Sequence, residues 1–431
     1  MKTSIKEVCC KAVGFDPAKH KVITEVVAGI TTFITMAYIL IVNPNMLSLT
    51  GMDSGAAFTA TALAAVVGTL LCAFVARLPF AQAPSMGANA FFAYTVCLAM
   101  GYTWQFALTG VLIEGVLFII FSVTGVRTWI VNIIPESIKI GIGVGIGCFI
   151  AFLGLKNAGV IVSNPGTYIA LGNITHGGPL LAIIGLILMA ALIVKKVKGA
   201  LLIGILITTV IGIPMGVTHL GGVLSAPPSL APVFCQFEWK NVLSIDMLIV
   251  VITLLSMDMF DTIGTLLTLS RKIGQVPRKD FDKALLCDSI ATVCGSIIGT
   301  STVGSYVESS AGIQSGGRTG LTSVITACML VLSLFFAPLF LSIPAAAIGP
   351  AMFLVGITMV EGIRLLDFNS PSEFIPGLVT MLAIPFTFSI ANGIILGLIS
   401  YTTINILSYG IKKVGWGLIF LTIVLSLKFI I

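Results

Sequence analysis

The chain has 431 residues, of which 57% are hydrophobic and 9% are charged, and its formal net charge is +6. Soluble globular proteins carry about 25% charged residues, so this composition excludes an ordinary water-soluble domain and makes lipid the expected solvent for most of the chain. The positive charge does not indicate a nucleic-acid partner, because the lysines and arginines are spread over short loops.

Long apolar runs predict the fold class, an all-α polytopic membrane protein. A helix needs about 20 residues to cross about 30 Å of hydrocarbon, which gives about fourteen transmembrane segments here. A last apolar run at 416–431 either spans the membrane or lies at its interface. The predicted segments start near Val22, Ala56, Ala81, Trp104, Ser137, Pro179, Gly199, Ser244, Asp282, Gly299, Leu321, Pro344, Phe374 and Asn392.

The basic residues predict the orientation. With the N-terminus in the cytoplasm, only Lys156 and Lys240 fall clearly outside, and Lys428 is ambiguous. Because cytoplasmic loops carry an excess of Lys and Arg, this bias predicts a multi-pass protein of the cytoplasmic membrane with its N-terminus inside. The residues on the predicted inner side are Lys2, Lys6, Lys11, Lys19, Lys21, Arg77, Arg127, Lys139, Lys195, Lys196, Lys198, Arg271, Lys272, Arg278, Lys279, Lys283, Arg318, Arg364, Lys412 and Lys413.

Two segments are more polar than a spanning helix should be. Segment three contains FAQAPSMGANAFFAY at 80–94, and segment ten contains GTSTVGSYVESSAGIQSGG at 299–317. Each is third in a half of seven segments, and broken segments at matching places indicate the midplane site of a transporter built as an inverted repeat. We predict that each begins with a short extended stretch and continues as a half-helix whose N-terminus points at a shared site. The alternative is a pair of kinked helices packed through Gly and Ser.

Three carboxylates lie well inside two predicted segments of the second half. Asp258 and Asp261 are three residues apart in segment eight, hence on one helix face, and Glu308 lies in segment ten. A charge at the bilayer centre costs about 2.5–3.5 kcal/mol on the insertion scale, so these acids are expected to have a function. Burial favours the protonated carboxyl, which makes all three candidates for proton coupling; carboxylates satisfied by hydroxyl or amide donors are the alternative. Glu114, alone in segment four, is interpreted as a structural hydrogen-bonding group, and the acids expected near segment ends, solvated or paired, are Glu25, Asp288 and Glu361.

An amide and several aromatic side chains complete the predicted substrate site. Asn89 matches the place of Glu308 when the two broken segments are aligned, and an amide can both donate and accept hydrogen bonds. Phe33 and Phe91 are candidates for stacking on a flat ligand, although aromatic residues of membrane helices often serve in packing. The other aromatic candidates are Phe92, Phe260 and Tyr306.

The sequence gives no pattern for a metal or cofactor. None of the nine cysteines forms a C-x-x-C pair, and His20, His176 and His219 are too scattered for a ligand cluster. The glycine run GIGVGIG at 141–147 lacks a preceding strand and an acidic ribose partner, so we interpret it as close helix packing. We expect neither a metal nor a cofactor.

Five motifs are distributed along nearly the whole chain. They read GITTFITMAYILIVNP at 29–44, APSMGANAFFA at 83–93, LKNAGVIVSNP at 155–165, DMFDTIGTL at 258–266 and STVGSYVESSAGIQSGGRTGLTS at 301–323. Through them the chain resembles the nucleobase–cation symporter-2 (xanthine/uracil permease) superfamily, and within it the AzgA-like adenine–guanine–hypoxanthine permeases.

The resemblance implies a fourteen-helix, seven-plus-seven inverted repeat that divides into two domains. A core domain would comprise 22–125 and 244–341, and a gate domain would comprise 137–217 and 344–411, followed by a C-terminal apolar segment at 412–431. It also implies proton-coupled uptake of purine bases through an elevator-like movement of the core against the gate.

The resemblance also implies residue roles. Substrate contacts fall on Asn89, Asp258 and Glu308, and Asp261 is linked to transport. The chain departs from its relatives at three positions that flank the site, which bears on the purine it prefers. Gly304 stands where a hydroxyl residue is frequent, and Ser85 and Ala88 stand where Gly and Leu are common.

The predicted function is therefore secondary active transport: import of adenine, hypoxanthine or guanine by proton symport, without enzymatic activity. An anion exchanger of the same architecture is one alternative, but it would use half-helix dipoles and a cation instead of several carboxylates. An intramembrane aspartyl protease is another, for which Asp258 and Asp261 are poorly placed on one helix. The expected partners are a purine base, a proton and the bilayer. Sodium coupling and a homodimer through the gate domain are left open.

Overall fold

The computed structural model describes residues 10, 12–124, 133–274, 276–426 and 429 of the chain. Within these ranges the chain is mostly helical, and its elements begin close to the predicted segment starts. The residues outside this description include Lys2, Lys6, Lys11, Arg127 and Lys428 of the predicted charge distribution, and the side chains of Phe260, Leu267, Lys412, Lys413 and Val424.

The first half of the chain contains long apolar helices and one short strand deep in the protein. In chain order its elements are α1 (Val22–Met36), α2 (Ile39–Ser48), α3 (Ser54–Leu71, continued by a π-helical turn at Cys72–Ala76), β1 (Gln82–Pro84), α4 (Met86–Ala90, continued by a π-helix at Phe91–Ala99), α5 (Trp104–Thr124), α6 (Glu136–Asn157), β2 (Ile161–Asn164), β3 (Tyr168–Leu171), α7 (Gly177–Val194) and α8 (Ala200–Gly212). Local capping fixes helix starts: the Asp53 carboxylate accepts a hydrogen bond of 2.7 Å from the Ala56 N–H at the first turn of α3.

The second half also places a short buried strand between long helices. Its elements are α9 (Ile245–Ile273), α10 (Arg278–Ile298), β4 (Val303–Ser305), α11 (Ser309–Gln314), α12 (Gly320–Ser333, continued by a 3-10 turn at Leu334–Phe336), α13 (Ala337–Leu341), α14 (Ala345–Val360, continued by a 3-10 turn at Glu361–Leu365), α15 (Pro371–Phe386), α16 (Ile390–Tyr409), α17 (Ile411–Val414) and α18 (Trp416–Ser426). Gly299 ends α10 with a φ of 102°, a left-handed conformation that glycine adopts without strain. The chain can therefore turn directly from α10 into the extended stretch that leads to β4.

Length and composition establish a multi-pass membrane protein. Within the described ranges, nine helices are long and apolar enough to cross a membrane. Three shorter apolar helices accompany them, at Met86–Ala99, Ala200–Gly212 and Pro371–Phe386. The helical, membrane-spanning fold class is thus confirmed, and the count of fourteen crossing segments stays a prediction.

The two polar segments meet inside the protein. Strand β1 pairs antiparallel with β4, with Gln82 opposite Ser305 and Pro84 opposite Val303, and all six strand residues are buried. A helix follows each strand after a short gap, so the predicted half-helices preceded by extended stretches are present. Non-helical backbone at this depth is tolerated because the strands satisfy each other's hydrogen bonds within the protein.

The glycine run at 141–147 lies inside α6, which packs against α14 and α15. A Cβ atom built on Gly154 would come within 2.5 Å of the Gly349 carbonyl oxygen, and one on Gly147 within 2.6 Å of that of Gly356. Only glycine allows two helix backbones to approach so closely. The interpretation of this run as a helix-packing surface, and not a dinucleotide loop, is confirmed.

Helix contacts form two groups. Helix α10 packs against α3 and α5, and α12 packs against α1 and α3. Helix α6 packs against α14 and α15, and α7 packs against α8 and α14. This grouping follows the implied division into core and gate, but the division and its boundaries stay predictions.

Candidate functional site

A cavity of about 370 Å³ lies where the two broken segments meet helices α7, α8 and α14. This volume falls within the range of small-molecule sites, about 300–1,000 Å³. One wall carries carboxylate, phenol and hydroxyl groups, and the facing wall is mainly apolar. The polar wall contains Tyr38, Ser85, Asp261, Thr265, Ser305, Tyr306, Glu308 and Ser310, and the facing wall contains Ile193, Leu201, Leu354, Val355, Thr358 and Met359.

Glu308 occupies the bend between β4 and α11. Its Oε1 atom accepts a hydrogen bond of 2.6 Å from the Tyr38 hydroxyl, which comes from the turn between α1 and α2. The Glu308 side chain is half-buried and lines the cavity, so the predicted carboxylate of segment ten faces the candidate ligand space. Tyr38 is only 1% exposed, so its position is fixed by packing.

Asp261 faces the same cavity from α9. Its Oδ2 atom accepts a hydrogen bond of 2.7 Å from the Ser85 hydroxyl, which lies between β1 and α4. The Tyr306 hydroxyl donates to the Pro84 carbonyl oxygen at 2.6 Å, so its ring is held across the two strands. Two carboxylates and two phenols from three separate parts of the chain therefore converge on one space.

Asp258 lies deeper than Asp261 on the same face of α9. It is 1% exposed and does not belong to the cavity lining. Its Oδ1 atom accepts a hydrogen bond of 3.1 Å from Thr262, and a Cβ atom built on Gly304 would lie 3.5 Å from that oxygen. The predicted shared face is present, because Asp258 approaches β4 and Asp261 approaches the end of β1.

Asn89 fixes the broken segments to each other. It is fully buried, its Oδ1 atom accepts a hydrogen bond from the Ser301 hydroxyl, and its Nδ2 atom donates to the Pro84 carbonyl oxygen at 3.4 Å. Ser301 lies two residues before β4. Asn89 therefore supports the ligand space from behind and does not line the cavity.

The aromatic residues of the cavity differ from those selected in the sequence. Phe91 is fully buried in the main apolar core and Phe33 packs at the edge of that core, and neither lines the cavity. Tyr38 and Tyr306 are the aromatic side chains that line it. Tyr306 was a secondary candidate, and Tyr38 was missed, although it stands inside the motif at 29–44.

The first turn of α4 adds backbone donors to the cavity. Met86 and Gly87 line it, and Ser85 is the N-cap residue. The first amides of a helix have no intrahelical acceptor and carry its positive dipole end. An electron-rich ligand atom can accept hydrogen bonds here, while the carboxylates opposite accept from donors.

The prediction that Asp288 lies near a segment end, solvated or paired, is wrong about its position. Asp288 is fully buried in the middle of α10. Its Oδ1 atom accepts hydrogen bonds from the Gln82 amide and, at 2.9 Å, from the Ser305 hydroxyl. The helix begins at Arg278, four residues before the predicted start at Asp282. The sequence prediction missed this start because the first turns of the helix are charged and do not look like a membrane segment. Asp288 thereby ties β1 to β4.

In the part of the chain that is described, no group of three or more His, Cys, Asp and Glu side chains is arranged to hold a metal ion. The cavity offers carboxylates, phenols, hydroxyls and amides, which bind a polar organic molecule through hydrogen bonds. The cavity is therefore suited to binding such a molecule.

Fold and site together define a multi-pass membrane transporter. The sequence model of the permease family, that of the xanthine and uracil permeases, matches residues 23–396, so the chain belongs to this family, the nucleobase–cation symporter-2 family. It is 38% identical to the adenine permease AdeP of Escherichia coli, over 94% of this chain and 92% of AdeP. It is 40% identical to the guanine/hypoxanthine permease PbuG of Bacillus subtilis, over 90% of this chain and 91% of PbuG.

Solved structures show the same fold. The transmembrane domain of the cyanobacterial bicarbonate transporter BicA superposes with a TM-score of 0.63 at 19% identity, covering 88% of this chain and 96% of that domain. The family assignment confirms the resemblance seen in the motifs. The relatives are permeases, so the chain is a transporter and not an enzyme.

Proposed function

We propose that this protein imports purine nucleobases by proton symport. Family membership and relatives named for adenine and for guanine/hypoxanthine support the substrate class. The observation that carries the proposal is the convergence of Glu308 and Asp261 on one cavity beside Tyr38 and Tyr306. A purine is flat, aromatic and rich in N–H groups, and these features match such a wall.

Each part of the cavity meets one part of the base. The carboxylates of Glu308 and Asp261 accept hydrogen bonds from ring and amino N–H groups, since an ionised carboxylate is an acceptor only. The amides of Met86 and Gly87 donate to ring nitrogens or a carbonyl oxygen. The Tyr306 ring stacks on the base, and the apolar wall from α14 covers its other face. Asn89 and Asp258 act from behind this layer, and Phe33 and Phe91 contribute to packing around it.

Proton coupling follows from the cost of moving charge through hydrocarbon. The carboxylates of Asp258, Asp261 and Glu308 lie close together around β4 and the end of β1. Protonation in the loaded state removes a charge that would oppose passage across the bilayer. We propose that the loaded core, at 22–125 and 244–341, then moves as an elevator against the gate, at 137–217 and 344–411.

The rival functions make different demands on this site. The bicarbonate transporter BicA has a similar fold, but in an anion exchanger the carboxylates that face this cavity would repel the anion. A protease would need two opposed carboxyl groups, whereas Asp258 is buried behind the cavity that Asp261 faces. Both observations favour purine transport.

The first test is uptake of labelled adenine, hypoxanthine, guanine and uracil by cells that lack their own permeases, with and without a protonophore. We expect purine uptake that collapses with the proton gradient, and the competition pattern gives the substrate. Uptake of bicarbonate or sulfate without competition by any purine would overturn the proposal. Uptake that follows a sodium gradient and resists the protonophore would show that sodium, and not the proton, is the coupling ion.

The matched variant is Glu308→Gln, which preserves shape while removing the charge. We expect uptake to fall by about 10- to 100-fold, because a hydrogen bond to a charged group contributes about 1.5–3 kcal/mol. Glu136→Gln removes a carboxylate whose side chain is 77% exposed on α6, and it should transport normally. Normal proton-coupled uptake by Glu308→Gln, at equal membrane abundance, would contradict the role of Glu308.

A further inference from the structure

Two buried carboxyl groups meet behind the cavity, and one of them has no part in the mechanism above. Glu114 lies in the middle of α5 and is fully buried. Asp258 lies on α9, which packs against α5, and is 1% exposed. Both carboxyl groups face the stretch at 302–304: Glu114 accepts from Thr302, and a Cβ atom built on Gly304 would lie 3.5 Å from Asp258 Oδ1. Burying two acids side by side in a membrane protein is costly unless they take up a proton.

Each of the two carboxyl groups is also held by a hydroxyl. Thr302 donates to the Oε2 atom of Glu114 at 2.8 Å, and Thr262 donates to the Oδ1 atom of Asp258 at 3.1 Å. Thr302 directly precedes β4, and Gly304 in β4 lies beside Asp258. The acid pair therefore contacts the short strand from which the chain runs on to the cavity-lining residues Ser305 to Glu308.

Two buried carboxyl groups side by side favour a bound proton. An ionised carboxylate has no donor, so a hydrogen bond between two carboxyl groups exists only when one of them carries a proton. The pair then has one negative charge, and a second proton makes it neutral. Such coupled acids take up their two protons in separate steps, because the first charge opposes the second.

The titratable groups around the pair are acidic or phenolic. Asp261 lies one turn further along α9 and accepts from Ser85. Asp288 on α10, which packs against α5, is occupied by Gln82 and Ser305. Beyond β4, Glu308 is bound by Tyr38, and Tyr306 by a backbone carbonyl. This acidic surrounding favours the uptake of a proton by the pair.

Building on the proposed function, we infer that Glu114 and Asp258 form the carboxyl pair that carries the symported proton, with Glu114 as the partner that accepts or releases it. The purine then binds to Glu308 and Asp261 in the cavity, and the proton binds one layer deeper. Protonation of the pair removes negative charge beside β4. This strand connects the acid pair to the cavity residues that bind the purine. The proton site and the substrate site are adjacent but separate.

The decisive variant is Glu114→Gln. Its amide oxygen can still accept from Thr302, so this contact and the shape of the side chain are preserved while one titratable proton is lost. In proteoliposomes a pH gradient of one unit sustains about tenfold purine accumulation at one proton per purine. We expect the variant to lose this accumulation while it still exchanges labelled for unlabelled purine across the membrane.

A second variant keeps both acids and changes only the proton equilibrium. Thr302→Val preserves shape but removes the donor that stabilises the charged form of Glu114, so the pH midpoint of uptake should move to higher pH. A merely structural role of Glu114 predicts no change of this midpoint. The pH midpoint of Thr302→Val also tests the inference if the Glu114→Gln variant fails to fold.

The outcomes separate the two proposals. Wild-type protein that neither binds nor exchanges any purine contradicts the proposed function itself. Wild-type protein that accumulates purine, beside a Glu114→Gln variant with the same accumulation and pH profile, overturns the inference alone. Glu136→Gln is the matched surface control, and it should accumulate purine like the wild type.

Discussion

At the scale of single residues, two of the three departures from the family pattern lie beside Asp258 and Asp261 of α9. Ser85 donates to Asp261, and Gly304 leaves the space beside Asp258 free of a side chain. A carboxylate that keeps one hydroxyl donor has a fixed direction and still offers an oxygen to a ligand. Ser85 and Gly304 therefore influence how Asp261 and Asp258 are oriented. Through this orientation they influence which substrate binds.

Ser85→Ala tests this orientation. Without the hydroxyl, Asp261 loses a hydrogen bond to a charged group, and the KM for purine should rise by about tenfold or more, with membrane abundance unchanged. The control is Ser256→Ala on the same helix, because the Ser256 hydroxyl donates only to the Ile252 carbonyl of its own helix, at 2.8 Å. The KM is measured from initial rates of uptake. An unchanged KM for Ser85→Ala would show that the hydrogen bond from Ser85 to Asp261 does not contribute to purine binding.

At the scale of elements, the sequence predicted the broken segments because polar and small residues stand where a spanning helix must be apolar. The acids Asp261 and Glu308 were predicted for the same reason, and both line the cavity. Tyr38 was missed because a tyrosine in an apolar segment looks like packing. The role of Asp288 was missed because its partners, Gln82 and Ser305, are known only from the tertiary contact of β1 with β4.

The contact of α6 with α14 allows a sharp test of helix packing. Gly154→Ala places a Cβ atom 2.5 Å from the Gly349 carbonyl oxygen, so the helices must move apart, which costs about 1–3 kcal/mol and lowers the Tm in detergent. Gly143→Ala in the same helix is the control, since a Cβ there meets no atom within 4 Å. Its Tm should stay equal or rise slightly, because Ala favours helix over Gly. Equal Tm values for both variants would contradict the close contact.

At the scale of the whole molecule, the cavity and an aromatic cluster lie toward opposite ends of the long helices. Ile193 and Leu201 of the cavity flank the turn with Lys195, Lys196 and Lys198. At the other end of α6, Lys156 lies 4.8 Å from the centre of the Phe388 ring, which packs on Phe149 and Tyr94. The positive-inside rule predicts that the lysine turn is cytoplasmic, so we expect this conformation to be open inward and closed outward by the aromatic rings.

Thiol labelling from each side of the membrane tests this arrangement. In a background with the exposed Cys235 and Cys328 replaced by Ser, Thr358→Cys places a thiol in the cavity lining, and Leu243→Cys places one in a fully exposed loop position near Lys240. We expect a membrane-impermeant maleimide to label Thr358→Cys in inverted vesicles and Leu243→Cys in intact cells. A purine should protect the first thiol and not the second, since only the first lies in the cavity. Labelling with the sides exchanged would reverse the orientation, while labelling of both thiols from one side would contradict their placement at opposite faces.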